Sequence, residues 1–248
     1  MQKIKFIILL VVISGLILVF IPVTIPSNFQ IQDNSLSEFD FIIVFNPGGW
    51  GDAPLEKSDD FSPIVKGIQD SLSEWGYNSV VIPYMRTKEG VLAKISGFKD
   101  FILGYDFSSD QFIKDSKELS NFLPDKKIII TGLSNGAAFV NEVYKKLSDE
   151  DKDLFYAISV GTPFWVDKIY DDDILQLDNN GEDDLAAGKI SSIVWSGLKA
   201  PFIWLFSRIK NNNIEFSRAF QVNGHEYSWS SPETGGKIIS FLQRELDR

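Results

Sequence analysis

The alternation of short apolar runs with helical patterns is the feature of this sequence that most limits its fold. The runs are apolar without a polar residue at every second position, which indicates strands that are covered on both faces. Alternating strands and helices are typical of a parallel sheet between helical layers. The sequence therefore predicts an α/β domain with a mostly parallel sheet of about six strands and helices on both faces. The predicted strands are 41–45, 79–83, 127–131, 155–160, 174–177 and 216–222.

Helical spacing of apolar residues predicts the connecting helices. Ser62 and Pro63 open the first helix, Ser62 as the predicted N-cap. Residues 85–110 fit no single pattern. The predicted helices are 62–75, 111–122, 137–147 and 237–246.

An uncharged apolar segment stands near the amino terminus. Residues 6–25 carry no charge, and at about 1.5 Å per residue they match the roughly 30 Å hydrocarbon core of a bilayer. Lys3 and Lys5 precede the segment, which favours a cytoplasmic amino terminus and an extracytoplasmic remainder. We therefore predict a single-pass signal-anchor over residues 1–26, with a secreted protein after signal-peptide cleavage as the alternative.

The rest of the chain divides into a linker and one domain. Residues 27–38 are polar and rich in turn formers, which predicts a linker. Residues 39–248 have the length of a single domain. Within this domain, residues 190–206 are strongly apolar but contain Lys199 and a proline, which argues against a second span. We expect a buried helix packed on the sheet, and the alternative is a cap or membrane-contacting segment over 190–210.

The composition excludes several classes of chemistry. The chain has no Cys and one His, so neither a Cys/His zinc site nor a thiol nucleophile can form. The 24 basic residues against 34 acidic residues give a net charge of -10, which argues against nucleic acid as a partner. No cofactor or metal is expected. The chemistry must therefore use serine, carboxylates and His225.

A G-x-S-x-G motif stands between a predicted strand and a predicted helix. Gly132-Leu133-Ser134-Asn135-Gly136 directly follows the strand 127–131 and directly precedes the helix 137–147. This placement is typical of a nucleophile elbow, whereas the alternative is a glycine-rich turn in which Ser134 only caps the helix. With this elbow the chain resembles the α/β-hydrolase superfamily. The resemblance implies a serine nucleophile, a histidine base and a carboxylate, in that fold's chain order of serine, acid and histidine.

The remaining members of the triad are assigned through the same resemblance. His225 follows the last predicted strand, where the superfamily carries its catalytic histidine. Gly181-Glu182-Asp183-Asp184 resembles the family's pattern of a glycine, two variable residues and an aspartate, which points to Asp184. Asp183 is the near alternative and Asp178 the remote one.

Backbone donors for an oxyanion are expected from two loops. Asn135 follows the nucleophile and supplies the first N–H by its position. The loop Asn46-Pro-Gly-Gly-Trp-Gly51 resembles the family's His-Gly-x loop, with Pro47 where the histidine often stands. We favour Gly49 over Trp50 as the second donor.

These residues together predict a membrane-anchored serine hydrolase. Its expected substrate is a small-molecule carboxylic ester or thioester, a lipid among the candidates, cleaved through Ser134, His225 and Asp184. Contact with the membrane is expected through residues 6–25. Two alternatives stay open: a non-catalytic binding or scaffold domain on the same fold, and a serine peptidase.

Overall fold

The computed structural model describes residues 22, 34–88, 90–122, 126–210 and 220–247. The predicted anchor at 6–25 lies outside these residues except for Pro22, and so does most of the predicted linker. Both stay predictions.

The described residues form one five-stranded parallel sheet with the strand order β2-β1-β3-β4-β5. Phe41 on the inner strand β1 pairs with Ser79 on one side and Lys127 on the other. This architecture confirms the predicted α/β class and the parallel sheet. The strands are β1 Phe41–Asn46, β2 Ser79–Pro83, β3 Lys127–Leu133, β4 Phe155–Val160 and β5 Ile174–Leu177.

The prediction of a sixth strand at 216–222 is not met in the described residues. Residues 216–219 lie outside them, and residues 220–222 are irregular. The chain that follows bonds to the loop after β5 rather than to a strand, because Asn223 O accepts from Asp184 N (3.0 Å).

Seven helices connect or follow the strands in the described part of the chain. The ambiguous stretch 85–110 contains α2 and the start of α3, so the predicted helix at 111–122 begins earlier, at Asp106. The prediction of Ser62 as an N-cap is wrong, because Phe61 is the cap residue and Ser62 already belongs to the helix. The helices are α1 Ser62–Glu74, α2 Val91–Ile102, α3 Asp106–Phe122, α4 Asn135–Lys146, α5 Asp149–Lys152, α6 Ile190–Ile209 and α7 Lys237–Leu246. Single turns are found at Asn34–Glu38, Leu55–Lys57, Asn179–Gly181 and Pro232–Gly236.

The sheet has a hydrophobic core on each face. Successive side chains of a strand point to opposite faces. Ile42 and Val44 of β1 therefore pack with α3 and α4. Phe41, Ile43 and Phe45 pack with α1 and α7 on the other face. The predicted helical cover on both faces is confirmed.

Helix α6 is not part of either core. Trp195, Phe202 and Phe206 are each about 60% exposed. Only 17% of the most apolar stretch of this helix is buried. The prediction that residues 190–206 form a buried helix on the sheet is wrong. The physical reason is that the faces of the sheet are already occupied by α1, α3, α4 and α7.

Candidate active site

Ser134 occupies a sharp turn between β3 and α4. Its backbone has φ 55° and ψ −116°, a left-handed conformation that is unusual for a residue other than glycine. The flanking glycines are required by close packing. A Cβ at Gly132 would overlap Gly136, and a Cβ at Gly136 would overlap the Asn46 carbonyl of β1. The geometry is the strand–turn–helix arrangement expected of a nucleophile elbow, and Ser134 makes no side-chain cap to α4.

The end of β4 brings the serine turn and the histidine loop to the same place. Ser134 N donates to Val160 O at 2.8 Å. At the next residue, Gly161, a Cβ would lie 2.6 Å from His225 Cε1 and 3.0 Å from Nδ1. The imidazole therefore lies against Gly161, where any side chain would displace it.

His225 is bound to a buried carboxylate. Its Nδ1 lies 2.7 Å from Asp183 Oδ2, and Asp183 is fully buried. Tyr227 Oη donates to the same oxygen at 2.5 Å. Burial alone would raise the pKa of Asp183, but the hydrogen bonds from His225 and Tyr227 outweigh it and hold the pKa below its ordinary value. The ionised carboxylate only accepts, so Nδ1 carries the proton and Nε2 is left as the basic nitrogen.

The second oxygen of Asp183 orders its own loop. Asp183 Oδ1 accepts from Leu185 N (2.9 Å) and Ala186 N (3.3 Å). These bonds turn the Asp183 side chain inward and fix the position of the carboxylate.

The predicted pairing of His225 with Asp184 is wrong. Asp184 Oδ1 instead forms an ion pair with Lys189 Nζ at 2.7 Å. Hydrogen bonds from Lys189 and Ser192 lower the pKa of Asp184. The remote alternative, Asp178, lies 3.2 Å from Lys168 Nζ. The near alternative, Asp183, is therefore the acid that the structure places beside the imidazole.

The histidine loop and the acid loop are held together by backbone contacts. Gly224 has φ +74°, and a Cβ there would overlap the Glu182 carbonyl. Asn179 Nδ2 donates to Gly224 O at 3.1 Å. Gly224 is therefore the residue that permits the close approach which brings His225 to Asp183.

The serine and the imidazole share a neighbourhood but not a hydrogen bond. Within the residues that the structure describes, no hydrogen bond joins Ser134 Oγ to His225. Both residues contact the segment formed by Val160 and Gly161. Catalytic hydrogen bonds are often long in unliganded enzymes and shorten when substrate binds.

The glycine-rich loop after β1 lies beside Ser134. A Cβ at Gly48 would be 3.9 Å from Ser134 Cβ, so the two residues are neighbours. Asn135 Nδ2 donates to Gly49 O at 3.1 Å. The structure thus brings Gly49 and Asn135, the two predicted oxyanion donors, into direct contact through the Asn135 side chain.

Arg86 binds this loop through two hydrogen bonds. Its Nη2 donates to Pro47 O at 2.5 Å, and its backbone N donates to Gly51 O at 2.9 Å. The guanidinium stands 5.0 Å from the Tyr105 ring centroid and is almost completely buried. The side chain and the backbone of one residue thus bind the predicted oxyanion loop near both of its ends.

A row of aromatic rings extends from this loop to the loop after β4. Ring centroids are 6.1 Å apart for Trp50 and Phe98, 6.2 Å for Phe101 and Trp165, and 5.1 Å for Phe164 and Trp165. Phe98 and Phe101 stack with their ring centroids 6.1 Å apart, and this pair connects the two parts of the row. Trp50 is 47% exposed and Trp165 is 49% exposed. We call these five residues the aromatic rim.

Sequence reasoning missed three contributors to the site. Tyr227 follows His225 by two positions, and this spacing could have suggested a shared loop. Arg86 and the aromatic rim belong to no recognisable sequence motif, because their contacts join segments that are distant in sequence.

Comparisons with known proteins return partial structural likenesses. Neither the family models nor the curated proteins include a match to this chain. A Trichoderma reesei cutinase, solved in complex with a C11Y4 phosphonate inhibitor, aligns with a TM-score of 0.44 at 16% identity over 60% of this chain and 65% of that chain. A cutinase-like protein from Cryptococcus sp. aligns with a TM-score of 0.37 at 17% identity over 50% of this chain and 54% of that chain. This chain therefore covers less than two thirds of either solved protein.

Proposed function

We propose that this protein is a serine hydrolase of the α/β-hydrolase type that cleaves a carboxylic ester or thioester. One observation carries the proposal: the serine turn and a histidine bound to a buried carboxylate meet at the end of β4. Ser134 N bonds to Val160 O, and the His225 ring lies on Gly161 with Nδ1 held by Asp183. A nucleophile, a base and the group that orients the base are the parts that acyl transfer needs.

The proposed reaction proceeds through an acyl-enzyme. Ser134 Oγ attacks the acyl carbon and its proton passes to His225 Nε2. The tetrahedral intermediate then collapses, the bond to the alcohol or thiol breaks, and His225 gives the proton to that leaving group. Water attacks the acyl-enzyme by the same route and regenerates Ser134. Asp183 keeps the proton of imidazole on Nδ1 and stabilises the imidazolium that forms in each half.

The negative oxygen of the intermediate requires backbone donors. The N–H of Asn135 and an N–H of the loop at 48–49 are the proposed donors, since this loop lies beside Ser134. Arg86 is the proposed positioning residue for the loop, because it binds Pro47 O and packs against Gly51.

The aromatic rim favours an apolar acyl or alcohol group in the substrate. Trp50 belongs to the proposed oxyanion loop, and Trp165 follows the β4 end on which His225 rests. Exposed aromatic rings beside a reacting centre provide a surface on which alkyl chains can be buried.

Active-site labelling tests the proposed nucleophile directly. A fluorophosphonate probe should label the full chain, and Ser134→Ala should abolish the signal. Ser73→Ala, at an exposed serine of α1, is the matched control and should label like the unaltered chain. Unlabelled protein, or an undiminished signal in Ser134→Ala, would contradict the proposal and favour a binding or scaffold domain.

Anchoring through residues 6–25 is a separate part of the proposal, supported by the length and hydrophobicity of that segment. An epitope placed before Lys3 should stay with the domain in the membrane fraction. Loss of the epitope together with release of the domain would instead indicate a cleaved signal peptide.

A further inference from the structure

Helix α6 buries small side chains, whereas most of its large apolar side chains are exposed. Ser196, Ala200 and Ser207 are its buried residues. Trp195 and Leu198 are each 59% exposed, and Phe202 is 64% exposed. A helix of a globular protein normally buries its large apolar side chains. Helix α6 has the opposite arrangement.

The outward side chains form one continuous face. At about 100° per residue, the exposed large apolar positions occupy less than half of the helix circumference. The buried small residues lie on the opposite side. The exposed face includes Val194, Trp195, Leu198, Phe202, Phe206 and Ile209.

Basic residues border this face on both sides. On the same helical projection, Lys199 lies at one edge of the face and Arg208 at the other. Their cationic groups stand over aromatic rings, at 4.9 Å for Lys199 and Trp195 and at 5.1 Å for Arg208 and Trp204. Residues 189–210 contain four basic residues and no acidic residue, although the chain as a whole has an acidic excess of ten.

Two contacts connect α6 to the rest of the domain. It is the one described helix that is long and apolar enough to cross a membrane. However, Lys189 at its start is bound to Asp184, and its midpoint at Gly197 lies beside Phe220. A second copy of the chain is also disfavoured as a cover, because a symmetric pairing of this face would bring the basic residues of both copies together.

We propose that α6 is an interfacial helix that docks the domain on a bilayer surface containing anionic lipid. The apolar face lies in the headgroup region, where Trp is favoured, and Lys199 and Arg208 extend from its edges to the lipid phosphates. The net positive charge of this helix, in a protein that is acidic as a whole, selects an anionic surface. The docking goes beyond the proposed hydrolysis and does not depend on Ser134.

Site-directed fluorescence tests the docking on the full chain. Because the chain has no Cys, Leu198→Cys gives a single attachment point for a nitrobenzoxadiazole fluorophore. Lys66→Cys on α1 is the matched control at a position that is also exposed. Both proteins are reconstituted in phosphatidylcholine vesicles with and without about one third phosphatidylglycerol, and quenching by a doxyl-labelled lipid is measured.

The expected result is strong quenching at position 198 and weak quenching at position 66 in the anionic vesicles alone. The charge reversals Lys199→Glu and Arg208→Glu together should lower the ratio of docked to undocked protein at least about tenfold. Far-UV circular dichroism checks that this variant is folded. Equal quenching at both positions, or at position 198 in both vesicle types, would overturn the proposal. Self-quenching at position 198 that rises with protein concentration in lipid-free detergent would overturn it in favour of a second copy.

Discussion

One oxygen of Asp183 serves two donors, and this sharing defines the orientation of the imidazole. Oδ2 accepts from His225 Nδ1 at 2.7 Å and from Tyr227 Oη at 2.5 Å. Because the carboxylate is buried, it has no water to compete for these bonds. Burial and the Asp183 carboxylate both raise the pKa of Tyr227, so its hydroxyl stays a donor at neutral pH.

Replacing each of the two neighbouring aspartates in turn distinguishes their roles. Asp183→Asn should lower kcat/KM for an activated ester by about 10³ to 10⁴, because an amide can stabilise the wrong imidazole tautomer and cannot balance the imidazolium charge. Asp184→Asn is the matched control and should retain kcat/KM within a few fold, since Asp184 contacts Lys189 instead. Equal losses in the two variants would contradict this assignment.

Tyr227→Phe should give a pH-dependent loss of stability. The folded pKa of Asp183 lies below its ordinary value of 3.8, so its ionised form stabilises the fold above that pH and loses this contribution as the pH falls through the folded pKa. Removal of the Tyr227 donor moves the folded pKa upward. We expect a loss of about 1–3 kcal/mol at pH 7 that shrinks below about pH 4.

Urea unfolding at pH 7 and at pH 3 measures this difference. Tyr170→Phe is the control, because Tyr170 is 93% exposed and should show no change at either pH. The same loss for Tyr227→Phe at both pH values would mean that the hydroxyl acts independently of the Asp183 charge.

At the residue scale, the sequence predicted the position of the serine turn and the neighbourhood of the histidine but not the acid. Ser134 is marked by flanking glycines that the close packing of its turn requires. His225 is the single histidine of the chain. Asp183 and Asp184 are adjacent and chemically identical. Which of them turns inward depends on the bonds from Asp183 Oδ1 to two backbone N–H groups, and no spacing rule contains that information.

Among the elements, β1 and α4 meet through a glycine. A methyl group at Gly136 would overlap Asn46 O and lie 2.9 Å from Pro47 O, both backbone atoms that cannot rotate away. Gly136→Ala should therefore lower the free energy of unfolding by about 1–3 kcal/mol. Its measurement is urea unfolding of the full chain.

Gly236→Ala is the matched control for this substitution. Gly236 has helical backbone angles at the start of α7, and an added Cβ would make only an ordinary contact at 3.8 Å with Pro232. We expect no loss and a gain of up to about 1 kcal/mol from helix propensity. If Gly136→Ala were as well tolerated as Gly236→Ala, the close contact between β1 and α4 would be refuted.

In helix α6, the hydrophobicity of the sequence does not predict which residues are buried. Its composition predicts a core helix, yet the periodicity places small residues such as Ala200 on the buried side and Phe202 on the exposed side. Hydrophobicity alone does not state whether the covering surface is protein or lipid. The sheet faces were already filled, and that fact becomes visible only when all of the helices are placed.

For the molecule as a whole, the aromatic rim should set the preference for acyl-chain length. Trp165→Ala should lower kcat/KM for a long-chain ester at least about tenfold more than for the acetate, because each buried methylene contributes about 0.8 kcal/mol. A series of p-nitrophenyl esters measures this ratio. Tyr170→Ala is the aromatic control and should leave the ratio unchanged. A uniform loss across the series in Trp165→Ala would contradict a role in chain binding.

The overall architecture was accessible from the sequence because continuous apolar strands leave few alternatives. The first five predicted strands match β1 to β5 closely. The predicted strand at 216–222 is not a strand over its described residues, because Asn223 O and Gly224 O bond to the acid loop. Such long-range pairings between loops determine the site, and local patterns do not report them.

The parallel sheet places the start of β1 and the proposed nucleophile at opposite edges. The chain enters β1 at Phe41, at the amino edge of the sheet, whereas Ser134 lies at the carboxyl edge. A six-residue strand is about 20 Å long. With the proposed anchor at residues 6–25 in a bilayer, a chain of the length between residues 25 and 34 would span at most roughly 30 Å, which would allow the domain to turn against the membrane surface. Docked through α6, the protein would then search for substrates in two dimensions, among molecules held in the same leaflet.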